Sequence, residues 1–225
     1  MQDKHRWQTR RTLFHMDSTP PSLTQRRKAA TQLEIAQAAA RLFTVRGADA
    51  VTAEEIAREA GIAVRTFYRY FRTKEDAVEP LLTVGAGHWR DLLAASEPQE
   101  DLVDALERTI VEVLTPRNDD DLESLRWTLG LLRAALDDPA LQIVWHRVNG
   151  ESETQLRAVV DSLAGPDADP FAVRLIAAAA TDAMRVALEA CVALEDPLAD
   201  PGMPAALATR ALRTLTSGVQ LLPDA

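Results

Sequence analysis

The residues best equipped for chemistry lie close together between positions 65 and 76. Arg65, Thr66, Tyr68, Arg69 and Tyr70 place two guanidinium groups, a hydroxyl and two phenols within six residues. Phe67 and Phe71, interleaved with them, are four apart, the spacing that stacks two rings on one helix face. With the phenylalanines turned inward, the other five side chains stay on or near the outer face. A basic, aromatic face of this kind can donate hydrogen bonds to an anionic partner.

The charge distribution agrees. The chain has 225 residues and a formal net charge of -9. Residues 1–75 carry 14 Lys and Arg against 8 Asp and Glu, a balance of +6; residues 76–225 carry 11 against 26, a balance of -15. A basic head on an acidic body points to an anionic partner for the head.

The elements that must position the basic face are legible from periodicity and caps. Ile35, Ala39, Leu42 and Phe43 form one apolar stripe, which predicts a first helix over about Thr31–Arg46, ended by Gly47. Thr52 followed by Glu55 is a capping box, opening a short second helix from Ala53 to about Ala60. Gly61 permits a tight turn, Ile62 plugs the core beneath it, and a third helix spans about Val64–Phe71. Two short helices about a glycine turn, the second with a basic and aromatic outer face, describe a helix-turn-helix.

Beyond the head, the pattern remains helical and no alternating run predicts a sheet. About nine helices are expected. The fourth is expected over Lys74–Ala95, with Thr73 and Asp76 at its start and Pro80 able to kink it. Others follow at about Leu102–Leu114, Leu122–Leu136, Ala140–Leu163 and Pro170–Leu194. Asp138-Pro139 and Asp169-Pro170 each set an N-cap before a proline at the first helical position. In the Pro170–Leu194 helix, Arg174, Thr181, Asp182, Arg185 and Glu189 form one narrow polar stripe. The last helix carries an apolar seam of Ala205, Ala208, Leu212, Leu215, Val219 and Leu222, suited to helix–helix packing. Three regions are expected: a flexible basic arm over 1–25, a DNA-binding head over 26–75 and a body over 76–225. Lys4, Arg6, Arg10 and Arg11 of the arm could lie against phosphates, although Met16 is an alternative start.

The segment from Val51 to Val78, and above all its Thr66–Asp76 core, resembles the DNA-binding signature of TetR-family transcriptional regulators. Ala63 departs from it, standing where the family often has Ser, Asn or Thr. The resemblance implies an all-α protein: an N-terminal three-helix DNA-binding domain followed by a helical ligand-binding and dimerisation bundle. It implies phosphate contacts from Thr52, Tyr68 and Lys74, and a groove-facing set of Arg65, Thr66 and Tyr70. An Arg can read guanine and a Thr methyl can meet thymine. Arg69 would serve a phosphate or an internal carboxylate. The implied partners are double-stranded DNA with a palindromic operator, a second copy of the chain and a small-molecule effector.

For the homodimer, the candidate interface residues are Ala179, Ala183, Val186, Leu212, Leu215 and Val219. His88, Trp89, Trp127, Leu131 and Trp145 are candidates for the effector pocket, with core packing as the competing role for each Trp. His88 and His146 suit hydrogen-bonded structural positions. The segments Glu123–Gln142 and Asp169–Ala190 resemble, more weakly, the regulators of this family associated with acyl-CoA-like ligands, and Arg126 and Arg133 could then meet an anionic group.

Catalysis finds little support. There is no nucleophile elbow, Walker A loop or H-E-x-x-H motif. Cys191, the one cysteine, sits on the most apolar helix, where an inert thiol is expected. The acidic clusters at Asp119–Asp121 and Asp137–Asp138 lack partners at metal-site spacing, so no metal or cofactor is expected. With no long apolar run, a non-membrane, cytoplasmic regulator is the expectation. Two alternatives stay open: a regulator without a small-molecule ligand, and a helical enzyme carrying a DNA-binding head.

Overall fold

Ser22 opens the first helix. Its hydroxyl accepts the Gln25 amide at 3.2 Å while the Gln25 side chain accepts the Ser22 amide at 2.7 Å. The computed structural model describes residues 22–97, 101–194, 196 and 198–219. Lys4, Arg6, Arg10 and Arg11 of the N-terminal arm, and Leu222 of the last seam, lie outside the described residues. Helix α1 runs over Leu23–Arg46, starting eight residues before the position that periodicity indicates. Residues 23–30 are all exposed, so they carry no apolar stripe to read; the capping box defines the true start.

Helices α2 (Ala53–Glu59) and α3 (Val64–Tyr70) complete the head. Gly61, at φ +66°, supplies the left-handed residue of the turn between them. Ile35, Phe43, Val51, Ile56 and Phe67 are essentially inaccessible and form the core beneath the turn. Phe71 joins them, its ring centroid 5.6 Å from that of Phe67.

The expected single helix over Lys74–Ala95 is instead two elements. A 3-10 turn over Glu75–Val78 precedes α4 (Glu79–Ala94), and Pro80 stands in the first turn of α4. Proline costs little there because first-turn amides have no intrahelical acceptor, so Pro80 starts a helix rather than kinking one.

The body continues with α5 (Leu102–Leu114), α6 (Asp119–Ala135), α7 (Pro139–Ala164), α8 (Pro170–Val192) and α9 (Met203–Thr216). Asp138 and Asp169 cap α7 and α8 ahead of Pro139 and Pro170, as the two Asp-Pro pairs predict. Among the described residues there are nine α-helices and no strand, in agreement with the all-α expectation. Helices α8 and α9 pack side by side; α7 lies along α8, α4 along α7, and α5 against α9. One continuous apolar core runs from Ile35 in the head to Leu212 in α9.

Helix α8 is buried over most of its surface, but Thr181 does not join the exposed polar stripe. It is 5% exposed, and its hydroxyl has no hydrogen-bond partner among the described residues. Cys191 is fully buried, and burial pushes its thiol above the ordinary value, which keeps it protonated and inert.

Head and body meet at α1 and α6. Gly130 of α6 permits a close approach there: a Cβ at that position would lie 2.9 Å from Oγ1 and Cγ2 of Thr44.

Candidate nucleic-acid interface

The outer face of α3 is made by the inward fit of Phe67. With that ring buried, Arg65, Tyr68 and Arg69 are exposed, and Thr66 and Tyr70 are half-buried. The Tyr68 ring stands edge-on to Phe67 at 5.4 Å, which directs its phenol outward. Arg69 lies over the Tyr70 ring at 5.2 Å, a cation–π contact that orders both. Among the described residues, neither the Arg65 guanidinium nor the Tyr68 or Tyr70 hydroxyl has a hydrogen-bond or ion-pair partner. Their polar ends are therefore available to a ligand. Ala63 begins α3 without a side-chain cap bond, as expected from its lack of a polar oxygen.

Thr52 is exposed at the N-terminus of α2. Its hydroxyl accepts the Glu55 amide at 3.2 Å, and its own amide donates to Glu55 Oε2 at 2.9 Å. The Thr52 amide, followed by the Arg46 guanidinium, holds the Glu55 carboxyl below the usual carboxylate range. Arg46 donates to Glu55 at 2.9 Å and to the Ala50 carbonyl at 2.7 Å, tying the end of α1 to the start of α2.

Lys74 faces a different environment from the one expected of it. Its Nζ donates to the Ala48 carbonyl at 2.7 Å and lies 3.6 Å from Glu75. It joins the α1–α2 loop to the segment after α3. The helix N-terminus expected at Lys74 is displaced to Glu79 by the intervening 3-10 turn.

The candidate effector residues do not line a common space among the cavities described. Trp89 is buried and donates to Thr109 Oγ1 at 3.1 Å; Trp145 donates to Glu189 at 2.8 Å; half-buried Trp127 donates to Glu123 at 3.2 Å. Leu131 is buried, and His88 is exposed. His88 and His146 are both exposed and unpartnered among the described residues, so the hydrogen-bonded structural role expected of them is not what the fold provides. Arg133 is likewise committed elsewhere. Its guanidinium donates to the Val192 and Leu194 carbonyls at 2.9 and 2.8 Å, closing the C-terminus of α8 rather than facing an anion.

Two open cavities lie elsewhere among the described residues. One, of about 530 Å³, lies between the end of α5 and the start of α9; the other, of about 620 Å³, lies between α1, the end of α3 and the start of α4. Neither is lined by the five candidate residues.

The candidate dimer residues divide into two sets. Ala183 and Leu212 have no exposed surface within the single chain, and Ala179 is 7% exposed. Val186 and Leu215 are 46% and 47% exposed, and Val219 is half-buried. No group of three or more His, Cys, Asp or Glu that could hold a metal occurs among the described residues. None of the described helices is long and apolar enough to cross a membrane.

Sequence reasoning missed Arg147 of α7, which bridges Asp76 and Glu79 at 2.8 and 2.7 Å. Its partners lie 71 and 68 positions away, so no local spacing could have revealed it.

A short helix-turn-helix with an unpaired basic and aromatic outer face, set on an all-helical body, defines a DNA-binding regulator by its architecture. Residues 35–79 match the bacterial regulatory proteins of the tetR family. Over 170 residues, 72% of this chain and 74% of the relative, the sequence is 30% identical to the HTH-type transcriptional regulator TcmR of Streptomyces glaucescens. The chain therefore belongs to the TetR family of transcriptional regulators. Solved structures share its fold. One, from Syntrophomonas wolfei and assigned to the TetR family, gives a TM-score of 0.58 at 14% identity, covering 86% of this chain and 98% of that one. Salmonella enterica GusR gives 0.53 at 17% identity, covering 84% and 95%.

Proposed function

We propose that this regulator is a homodimeric repressor that reads a palindromic operator with α3. The observation that carries the reading is the exposed face of α3, where Arg65 and Tyr68 present polar ends that nothing else in the described chain engages. Arg65 and Thr66 would read base edges. Tyr68, Arg69, Tyr70 and Thr52 complete the contact with phosphates and the groove wall, and Lys74 acts chiefly by fixing the loop before α2. A two-fold dimer would set two α3 helices in successive major grooves, about 34–36 Å apart.

Release by a small hydrophobic or acyl-CoA-like effector rests on the family resemblance. It requires a ligand that binds the DNA-free arrangement more tightly than the DNA-bound one.

The test begins with selection of genomic fragments by the purified protein, followed by titration of Arg65→Ala. Loss of one guanine-reading side chain should weaken the selected site by about 5- to 150-fold, from about 1–3 kcal/mol, and nonspecific DNA far less. Equal loss on both would remove Arg65 from base reading. Recovery of fragments without a shared palindrome would remove the operator.

A further inference from the structure

The head meets the body through contacts of unlike kinds, and α1 packs on the 3-10 turn and α4 as well as on α6. Between α1 and α6 the contact is tight packing, with Thr44 against Gly130. Between the segment after α3 and α7 it is ionic. Arg147 donates through Nη2 to Asp76 Oδ1 at 2.8 Å and to Glu79 Oε2 at 2.7 Å, so one guanidinium spans the 3-10 turn from its second residue to the first residue of α4.

Asp76 is itself tied to the end of α3. Its second carboxylate oxygen accepts the Thr73 amide at 3.3 Å, and its amide donates to Thr73 Oγ1 at 3.1 Å. Thr73 follows Tyr70, the last residue of α3, by three positions. Helix α7 is anchored in the body: Val144 and Val148 are buried, and the Trp145 indole donates to Glu189 of α8. Arg147 therefore connects an element fixed in the body to the segment that terminates the recognition helix.

Packing holds one side of the same joint, where Ala77 and Val78 of the 3-10 turn are buried in the core, and leaves the other side open. The cavity of about 620 Å³ opens beside it, with Leu33, Tyr70, Phe71 and Val84 on its walls and Arg147 among the residues lining it. On that open side the charged bridge ties the segment after α3 to α7. Burial alone would raise the Asp76 carboxyl, but the Arg147 and Thr73 hydrogen bonds outweigh it and keep the group below the usual aspartate range.

We propose that Arg147 is a positioning residue for DNA recognition. By clamping Asp76 and Glu79, it sets the angle of α3 on the body and thereby the half-site spacing that the dimer accepts. The inference rests on the dimeric, operator-reading function proposed above.

The test compares wild type, Arg147→Met and Arg147→Lys on the fragment selected by wild type and on versions with the half-sites moved closer or further apart by single base pairs. Circular dichroism checks that each variant is folded. Wild type should discriminate sharply between spacings. Arg147→Met should lose about two- to five-fold of that discrimination, the range for a partly exposed ion pair. Its dependence of log affinity on log salt should be unchanged, because no phosphate contact is removed. Arg147→Lys, which keeps the charge without the fork, should fall between the two.

A folded Arg147→Met that keeps the wild-type spacing preference overturns the inference, as does one that loses affinity equally at every spacing or shows a reduced salt slope. If Arg147→Met does not fold, Glu79→Gln, which leaves the Thr73–Asp76 cap intact, reads the same discrimination by the same criteria. A wild type that selects no spaced palindrome overturns the proposed function and the inference with it. That failure shows in the wild-type arm alone, so the two are distinguishable.

Discussion

Two residues near α3 show how single side chains set the recognition helix. Ala63 occupies the N-cap of α3 with φ -71° and ψ 144°, an extended geometry in which a hydroxyl at the same position could reach the first-turn amides. Ala63→Ser should therefore stabilise the protein by about 0.5–1 kcal/mol. An upward shift of the denaturant midpoint would show this, and an unchanged or lower midpoint would mean that the first turn of α3 is already satisfied. Asp76 makes a prediction with a definite sign. Its folded-state acidity is held below the ordinary value, so its contribution is present at neutral pH and is lost as pH falls through that depressed value. Asp76→Asn should lower stability at neutral pH, and the gap from wild type should close as acid protonates the wild-type carboxyl. A gap of constant size across that range would mean that Asp76 contributes no pH-dependent stability.

At the level of elements, close approach and caps explain more than composition does. The contact between α1 and α6 depends on the missing Cβ of Gly130, which would otherwise meet the Thr44 side chain at 2.9 Å. Gly130→Ala improves helix propensity yet crowds that contact. Thr44 can yield partly by rotation, so a net loss of about 1 kcal/mol is expected, at the mild end of overpacking. Thr44→Ala in the same chain should recover most of it. Thermal denaturation of the two single variants and the double variant measures the coupling, and simple additivity would show that the residues do not press on each other.

For the molecule as a whole, the apolar surface left on α8 and α9 bears on assembly. Phe171, Leu175 and Val186 lie on one stripe of α8 and are 71%, 39% and 46% exposed; Leu215 of α9 is 47% exposed. An exposed apolar stripe of this kind favours a partner helix surface. If the proposed homodimer forms through this stripe, Val186→Glu should shift sedimentation from dimer to monomer with the helical signal intact. Ala183→Glu should instead abolish folding, because it places a carboxylate where the single chain leaves no exposure. A folded Val186→Glu variant that remains dimeric would place the interface elsewhere.

Much of the head is legible in the amino-acid sequence. The Thr52–Glu55 box, the glycine turn and the Phe67–Phe71 pair are local signals, separated by four residues or fewer, and helix sterics and hydrogen bonding act over that range. The Asp-Pro starts of α7 and α8 are legible for the same reason. The body's use of its residues is not. An apolar seam on α9 reads the same whether it faces its own chain, as Leu212 does, or solvent, as Leu215 does. An arginine at position 133 or 147 gives no local sign that its partners lie 59 or 71 residues away. Sequence alone determined the helix-turn-helix and the face it presents, because short-range geometry fixes them. Only the tertiary structure decided which cations are committed internally, which apolar side chains remain outside and where open space lies, because each depends on how distant helices pack.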